Sequence, residues 1–313
     1  MLSPSELILN ADGSVYHLHL LPTDIADSII TVGDPERVAE VSDRFDTVEI
    51  KKAKREFHTH TGTLNGKRLT VISTGIGTDN IDIVLNELDA LANIDLTTRR
   101  AREKCKRLDF IRIGTSGAVQ SDIPIDSFVL SEYALGFDGL LQFYDSDHIR
   151  FQDMEQAFAI PSGTLRQNAS VGKGGGPAAG ESVVEGNSMT ESFRPYAVDF
   201  DASLADQLVS NRIRFGITAT CTGFYGPQGR RLRLATANED FIRDLSSSEF
   251  KNRKVTNLEM ETAGIYGLAK LLGHRAISIS CILANRITGE FSTRPKEATG
   301  ELIDYCLEKI CSS

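Results

Sequence analysis

Three times before residue 118 the chain runs an apolar stretch into a glycine-containing turn. The stretches are Ile29-Ile30-Thr31-Val32-Gly33, Leu69-Thr70-Val71-Ile72-Ser73-Thr74-Gly75-Ile76-Gly77 and Phe110-Ile111-Arg112-Ile113-Gly114-Thr115-Ser116-Gly117. Apolar runs without polar alternation suit strands covered on both faces, and the segments after the first two carry helix signals. Asp34 is placed to cap a helix that takes Pro35 in its first turn, and Gly33 permits a close or left-handed turn. After Thr78-Asp79-Asn80, the residues Ile81, Val84, Leu85, Leu88 and Leu91 recur at helical spacing, which predicts one apolar stripe on a helix ending near Ala92. Farther on, Ile213 to Thr220 and Ala276 to Ala284 read as strands, and Asn257-Leu258-Glu259-Met260-Glu261 opens a helix. The pattern predicts an α/β sandwich with a mostly parallel or mixed sheet, and no linker interrupts it, so residues 1–313 read as one domain.

Charge narrows the ligand classes. With 34 Lys and Arg against 43 Asp and Glu, the formal charge is -9. The chain lacks the basic field of a nucleic-acid or anionic-membrane binder, so an anionic ligand must be met by a local arginine cluster. The N-terminus shows no basic region before an apolar stretch, and the longest nearly apolar run, 276–284, falls far short of the roughly 20 residues that span a bilayer. A soluble, cytoplasmic protein is expected. Five cysteines without C-x-x-C spacing read as incidental or buried thiols, and Cys221 has no local histidine to serve as its base.

Several motifs are weaker than they look. Gly75-Ile76-Gly77 is followed by Asn80 where a dinucleotide fingerprint needs a third glycine. His58 and His60 alternate on a strand without a third donor at metal spacing. The basic stretch from Thr97 to Arg107, part of an expected insertion near 94–107, reads as a solvated helical face. The glycine-rich run 171–180 lacks P-loop order and reads as a flexible connection or lid.

A distributed constellation carries more. Arg112 lies inside an apolar strand, where a guanidinium needs an anion or a paired acid. With Gly33, Arg37 and Thr115 it falls at the C-terminal ends of two strands, the usual ligand position of open α/β sheets. Two guanidinium forks, backbone N–H groups and a hydroxyl suit a tetrahedral oxyanion such as phosphate. Glu259 and Glu261 can accept hydrogen bonds from a sugar diol, or can stabilise a helix terminus. Phe224, Gln228 and Arg230 supply a stacking face, an amide and a cationic donor that together suit a pyrimidine.

On the segments GDPER at 33–37, REF at 55–57, STGIG at 73–77, RIGTSGAVQ at 112–120, FYGPQGR at 224–230, EMETA at 259–263 and ANR at 284–286, the chain resembles the nucleoside phosphorylase superfamily, and within it the uridine phosphorylase branch. These segments keep the family order over about 250 of the 313 residues. The resemblance implies a single-domain three-layer fold, with a central mixed sheet flanked by helices, and phosphate held by Gly33, Arg37, Arg112 and Thr115, with Arg55 supplied by a neighbouring subunit. It implies ribose against Thr115, Met260 and Glu261, with Glu259 close by and His17 from the neighbour. It also implies a base resting on Phe224 near Gly117, bound by Gln228 and Arg230 with Arg286 behind them.

The resemblance further implies at least a homodimer with shared sites. A structural potassium ion is implied at Glu56 and Ile76, with Asn80 replacing the usual serine. No organic cofactor is implied, because phosphate is a co-substrate. The expected activity is reversible phosphorolysis of uridine to uracil and α-D-ribose 1-phosphate, with Arg112, Arg230, Gln228 and Glu261 carrying the chemistry. In the purine branch an Asp after Ser occupies the position of Asn285 and protonates N7, which Asn285 cannot do. Other nucleoside phosphorylases and a nucleosidase of the same superfamily are the alternatives.

Overall fold

The computed structural model describes residues 1–161 and 192–312. The first half of the chain contributes β1 (Ser28–Val32), α1 (Pro35–Ser42), β2 (Thr47–Lys54), β3 (Phe57–Leu64), β4 (Lys67–Ser73) and α2 (Thr78–Asn93). A short hairpin of β5 (Ile94–Asp95) and β6 (Arg100–Ala101) precedes β7 (Asp109–Ala118), β8 (Phe128–Gly136), α3 (Gln152–Ala157) and β9 (Ile160–Pro161). Then come β10 (Ser192–Phe193), β11 (Tyr196–Asp199), α4 (Ala202–Ala205), β12 (Ile213–Thr220), α5 (Phe241–Ser247) and β13 (Glu249–Phe250). The chain closes with β14 (Arg253–Glu259), α6 (Thr262–Leu271), β15 (Arg275–Asn285) and α7 (Pro295–Cys311).

Eleven strands form one mixed sheet in the order β13-β14-β12-β8-β15-β7-β1-β4-β3-β2, with β11 paired to β8. Alternation along the central strands sorts side chains into two cores, because successive residues of a strand point to opposite faces. Ile29 and Phe110 join one core with the α2 stripe (Ile81, Val84, Leu85, Leu88 and Leu91) and with Ile265 and Leu268 of α6. Ile30 and Ile111 join the opposite core with Val38 and Val41 of α1 and with α7. The result is the expected single-domain α/β fold, a mixed sheet between helical layers.

The sheet also closes on itself. β14 runs parallel to β12, yet its end pairs antiparallel with β7 through Asn257 opposite Ala118 and Leu258 opposite Gly117. Strands β14, β12, β8, β15 and β7 therefore form a ring. Closure brings Glu259, at the end of β14, beside Arg112 in the middle of β7, although 147 residues separate them.

Local readings changed in two places. Residues 257–259 end a strand, and the following helix begins at Thr262 with Glu261 at its cap position. The basic stretch after Thr97 contains no helix. Asp95 Oδ1 accepts from the N–H groups of Thr97 and Thr98, which starts a turn into the β5–β6 hairpin. Asn93 clips the base of this excursion by accepting from Lys106 N at 2.6 Å and donating to Lys106 O at 3.1 Å. The 171–180 run lies outside the described residues.

Candidate active site

A cleft of about 840 Å³ opens at the C-terminal ends of β1, β4, β7 and β14. It gathers the phosphate set predicted within one chain: Gly33, Arg37, Arg112 and Thr115. Asp34 caps α1 as expected, its Oδ1 accepting from Glu36 N at 2.9 Å, which fixes the turn that carries Arg37. The Arg37 guanidinium has no hydrogen-bond or ion-pair partner among the described residues. Burial, against the pull of Asp34 and Glu40, lowers its pKa from the ordinary arginine value. A cation left unpaired at the wall of a cleft is suited to an anionic ligand.

Arg112 behaves differently. It is 5% exposed, and its Nη2 donates to Glu261 Oε2 at 2.6 Å and lies 2.9 Å from Glu259 Oε2. Its Nη1 donates to Ser280 Oγ at 3.1 Å. Burial alone would disfavour its charge, but the two carboxylates outweigh that effect and raise its pKa. Gly114 makes the arrangement possible, since a Cβ there would stand 2.0 Å from Arg112 Nη1.

Glu261 also receives the N–H of Gly77 at 2.9 Å, so the STGIG turn fixes its orientation. Burial, reinforced by Glu259 and opposed by Arg112, holds the Glu261 pKa above the ordinary carboxylate value. Glu259 is held by Thr220 Oγ1, which donates to its Oε1 at 2.7 Å, and by the backbone N–H groups of Glu261 and Thr262. Met260, between the two acids, lines the cleft with Thr115.

Phe224, which also lines the cleft, is 50% exposed, and the Arg230 guanidinium lies 3.7 Å from its ring centroid. Arg230 also donates to Phe224 O at 2.8 Å and to Gln228 Oε1. Burial, with help from the nearby Arg286, pushes the Arg230 pKa down to about 10, so the group is still charged at neutral pH. Gln228 is buried and sits on the Glu259 carbonyl side of the cleft, while Arg286 stands behind it and donates to Gln228 O at 3.0 Å. Gly117 lies beside Arg286, with ordinary contact distance to its side chain. Sequence reading placed the base against Phe224, and the structure shows one face of that ring covered by Arg230.

His17 and Arg55 do not line this cleft. They share a different surface, where the Tyr16 ring contacts His17 edge-on at 4.9 Å and lies 5.7 Å from the Arg55 guanidinium carbon. Glu87 accepts from His17 Nδ1 at 2.6 Å and from the backbone N–H groups of His17 and Leu18.

Glu56 and Ile76 do border the cleft, and Asn80 Nδ2 donates to the Ile76 carbonyl at 3.3 Å. Among the described residues no cluster of three or more His, Cys, Asp or Glu could hold a metal ion, and no helix is long and apolar enough to cross a membrane. Cys221 is fully buried, which pushes its thiol pKa far up and leaves it unreactive.

Sequence reasoning missed Gly114, Thr220 and Ser280, which hold Arg112 and Glu259. Glycine inside the Arg112 strand was the available signal for Gly114; Thr220 and Ser280 carry none, because strand pairing alone brings them to the site.

Asn285 is buried at 2% exposure and is wholly engaged with backbone. Its Nδ2 donates to Gln120 O and Ile123 O, both at 2.9 Å, and its Oδ1 accepts from Ile287 N and Thr288 N.

The family described as Phosphorylase superfamily matches residues 27–309 of this chain. A uridine phosphorylase of Thermococcus kodakarensis is 29% identical over 90% of this chain and 80% of its own length. A DeoD-type purine nucleoside phosphorylase of Oceanobacillus iheyensis is 24% identical over 94% of this chain and 98% of its own. Among solved structures, a Trypanosoma brucei nucleoside phosphorylase described as showing uridine phosphorylase activity superposes with a TM-score of 0.80 at 26% identity, covering 98% of this chain and 100% of its own. The chain belongs to the phosphorylase superfamily, whose members among these relatives act on both pyrimidine and purine nucleosides.

Proposed function

We propose that this member of the phosphorylase superfamily is a uridine phosphorylase, converting uridine and phosphate reversibly to uracil and α-D-ribose 1-phosphate. The observation that carries the choice of base is Asn285: both its amide donors and its oxygen are committed to backbone, and no acid stands there to protonate a purine N7. The pair Gln228 and Arg230 supports the same choice, offering an amide and a cation to the carbonyl and imide edge of uracil.

Phosphate lies against Gly33, Arg37, Arg112 and Thr115, and the ribose diol meets Glu261 beside Met260. As the C1′–N1 bond lengthens, its electron pair passes to the uracil, where Arg230 and Gln228 stabilise the negative charge. A phosphate oxygen forms the new bond to C1′, and its charge stabilises the oxocarbenium character between the two events. The uracil anion then takes a proton from water. Holding both reactants in line supplies the remaining acceleration, and no enzyme nucleophile or organic cofactor enters.

The assembly is at least a homodimer. His17 and Arg55 support this, since they stand together around Tyr16 and away from the cleft of their own chain. That position suits donation to a partner's ribose and phosphate. Glu56 and Ile76 border the cleft where a potassium ion is expected, although the Asn80 amide already uses the Ile76 carbonyl.

Incubation with uridine, with and without phosphate, tests the reading. Uracil released only with phosphate is the expected result. Release without phosphate would make the chain a nucleosidase, and turnover of purine nucleosides but not uridine would overturn the base assignment.

A further inference from the structure

We propose that Glu259 is a positioning residue, which sets Arg112 and Glu261 for reaction and does not itself hold the ribose. The inference rests on the phosphorolysis reading and deepens it. Glu259 and Glu261 are two residues apart and both face the cleft, yet their hydrogen bonding differs.

Glu259 Oε1 accepts from Thr220 Oγ1 at 2.7 Å, and its Oε2 accepts from Glu261 N at 2.9 Å. Thr262 N reaches both oxygens, at 3.2 and 3.0 Å, and Arg112 Nη2 lies 2.9 Å from Oε2. A carboxylate offers about four lone-pair sites. Three donors from the protein, one of them shared between both oxygens, and the ion pair with Arg112 therefore use its capacity, and its side chain is 2% exposed. Glu261 has two such donors, Gly77 N and Arg112 Nη2, one on each oxygen. Its remaining lone pairs are the ones available to a sugar diol.

The groups that hold Glu259 come from three elements: Thr220 donates from β12, Arg112 pairs its charge from β7, and two backbone N–H groups donate from the entry into α6. Thr220 Oγ1 in turn accepts from Ala263 N at 2.9 Å. Glu259 and Thr220 thus satisfy the first free N–H groups of α6, and a negative charge at that end is favoured by the helix dipole. Through its bond to Glu261 N, Glu259 sets the backbone position of the ribose acid. Through Arg112 it balances the pull of Glu261 on the same guanidinium nitrogen. Without the Glu259 charge, Arg112 would be drawn to Glu261 alone, which would move the arginine from its phosphate position and occupy the acid that should meet the diol.

Replacing Glu259 with Gln tests this with uridine and 2′-deoxyuridine as paired substrates. A positioning role lowers kcat/KM for both nucleosides by the same factor, about 10²-fold, as expected when a supporting change displaces reacting groups. The ratio between the two substrates stays at its wild-type value, and the KM for phosphate rises. Thr220→Val, which removes one donor and leaves every charge in place, gives a smaller loss with the same pattern. That variant carries the test if Glu259→Gln does not fold. A selective loss on uridine, with 2′-deoxyuridine turnover intact, would assign Glu259 to the ribose and overturn the proposal.

Calorimetric titration with inorganic phosphate separates this from the choice of substrate. Phosphate affinity about tenfold weaker in Glu259→Gln is expected, and unchanged affinity would overturn the positioning role. A wild-type chain that releases no uracil would sink the uridine reading alone.

Discussion

Arg112 and Arg230 line one cleft and are held in opposite ways. Arg112 lies within the strand ring with two carboxylates and serine hydroxyls around it, and those partners raise its pKa. Arg230 sits on a half-exposed loop with no carboxylate partner among the described residues, stacked on Phe224, and its pKa falls to about 10. The first is part of the architecture, because removing it would leave two buried acids facing each other. The second is attached by a ring face, a carbonyl and an amide, all neutral groups that a base can replace or join. One arginine is preorganised by charged partners and the other is kept available by having none among the described residues.

The contrast breaks most visibly at Arg112. Replacing it with Ala is expected to abolish measurable phosphorolysis, a loss of at least about 10³-fold, because phosphate loses a cation and Glu261 loses its counter-ion. Stability should fall by about 3–5 kcal/mol, as when one partner of a buried ion pair is removed. Thermal denaturation checks this second half; a variant with wild-type stability would mean that Arg112, Glu259 and Glu261 do not form one structural unit.

Arg230→Ala should divide the two effects. We expect kcat/KM for uridine to fall about 10²-fold, or about 2.7 kcal/mol, the cost of one preorganised donor to a developing anion. Phosphate KM and the melting temperature should stay near their wild-type values. Steady-state kinetics with each substrate varied reads the split, and an equal rise in phosphate KM would show that the two arginines are not independent.

The smallest effect is in pH. Burial raises the Glu261 pKa from 4.5, so the folded chain binds this proton more tightly than the unfolded chain does. Its ionised form is disfavoured by folding, and the contribution of this group to stability improves as pH falls through the raised pKa, levelling below about 4.5. Activity moves the other way under the proposed mechanism, in which the ionised form accepts from the diol. The acid limb of kcat/KM for the nucleoside should therefore lie above the ordinary glutamate value, and Glu261→Gln should remove it from whatever residual rate remains. A limb at the ordinary value would place Glu261 in a wetter setting than the one found.

Much of this was legible in the chain itself. The apolar runs ending in glycine turns specified β1, β4 and β7, and the spacing of Ile81 to Leu91 specified α2, because strand and helix periodicities are local properties that burial imposes on sequence. An arginine within an apolar strand announced that Arg112 needed a partner. Gly33, Arg37, Arg112 and Thr115 line one cleft, since the first, second and fourth follow directly from strand ends in a parallel region.

What local pattern did not reveal was which acid does which work. Glu259 and Glu261 are chemically alike and two residues apart, and only closure of the strand ring gives one the partners of three elements and leaves the other partly free. Gly114 and Ser280 acquire meaning in the same way, because β7 and β15 run side by side and place Gly114 directly opposite Ser280. The sequence determined β1, β4, β7 and α2, the arginine inventory and the turn at Asp34, all of which depend on neighbours along the chain. The tertiary structure decided the charge pairing, because a buried ion's partner is set by which strands lie side by side, and that depends on contacts across more than a hundred residues of chain.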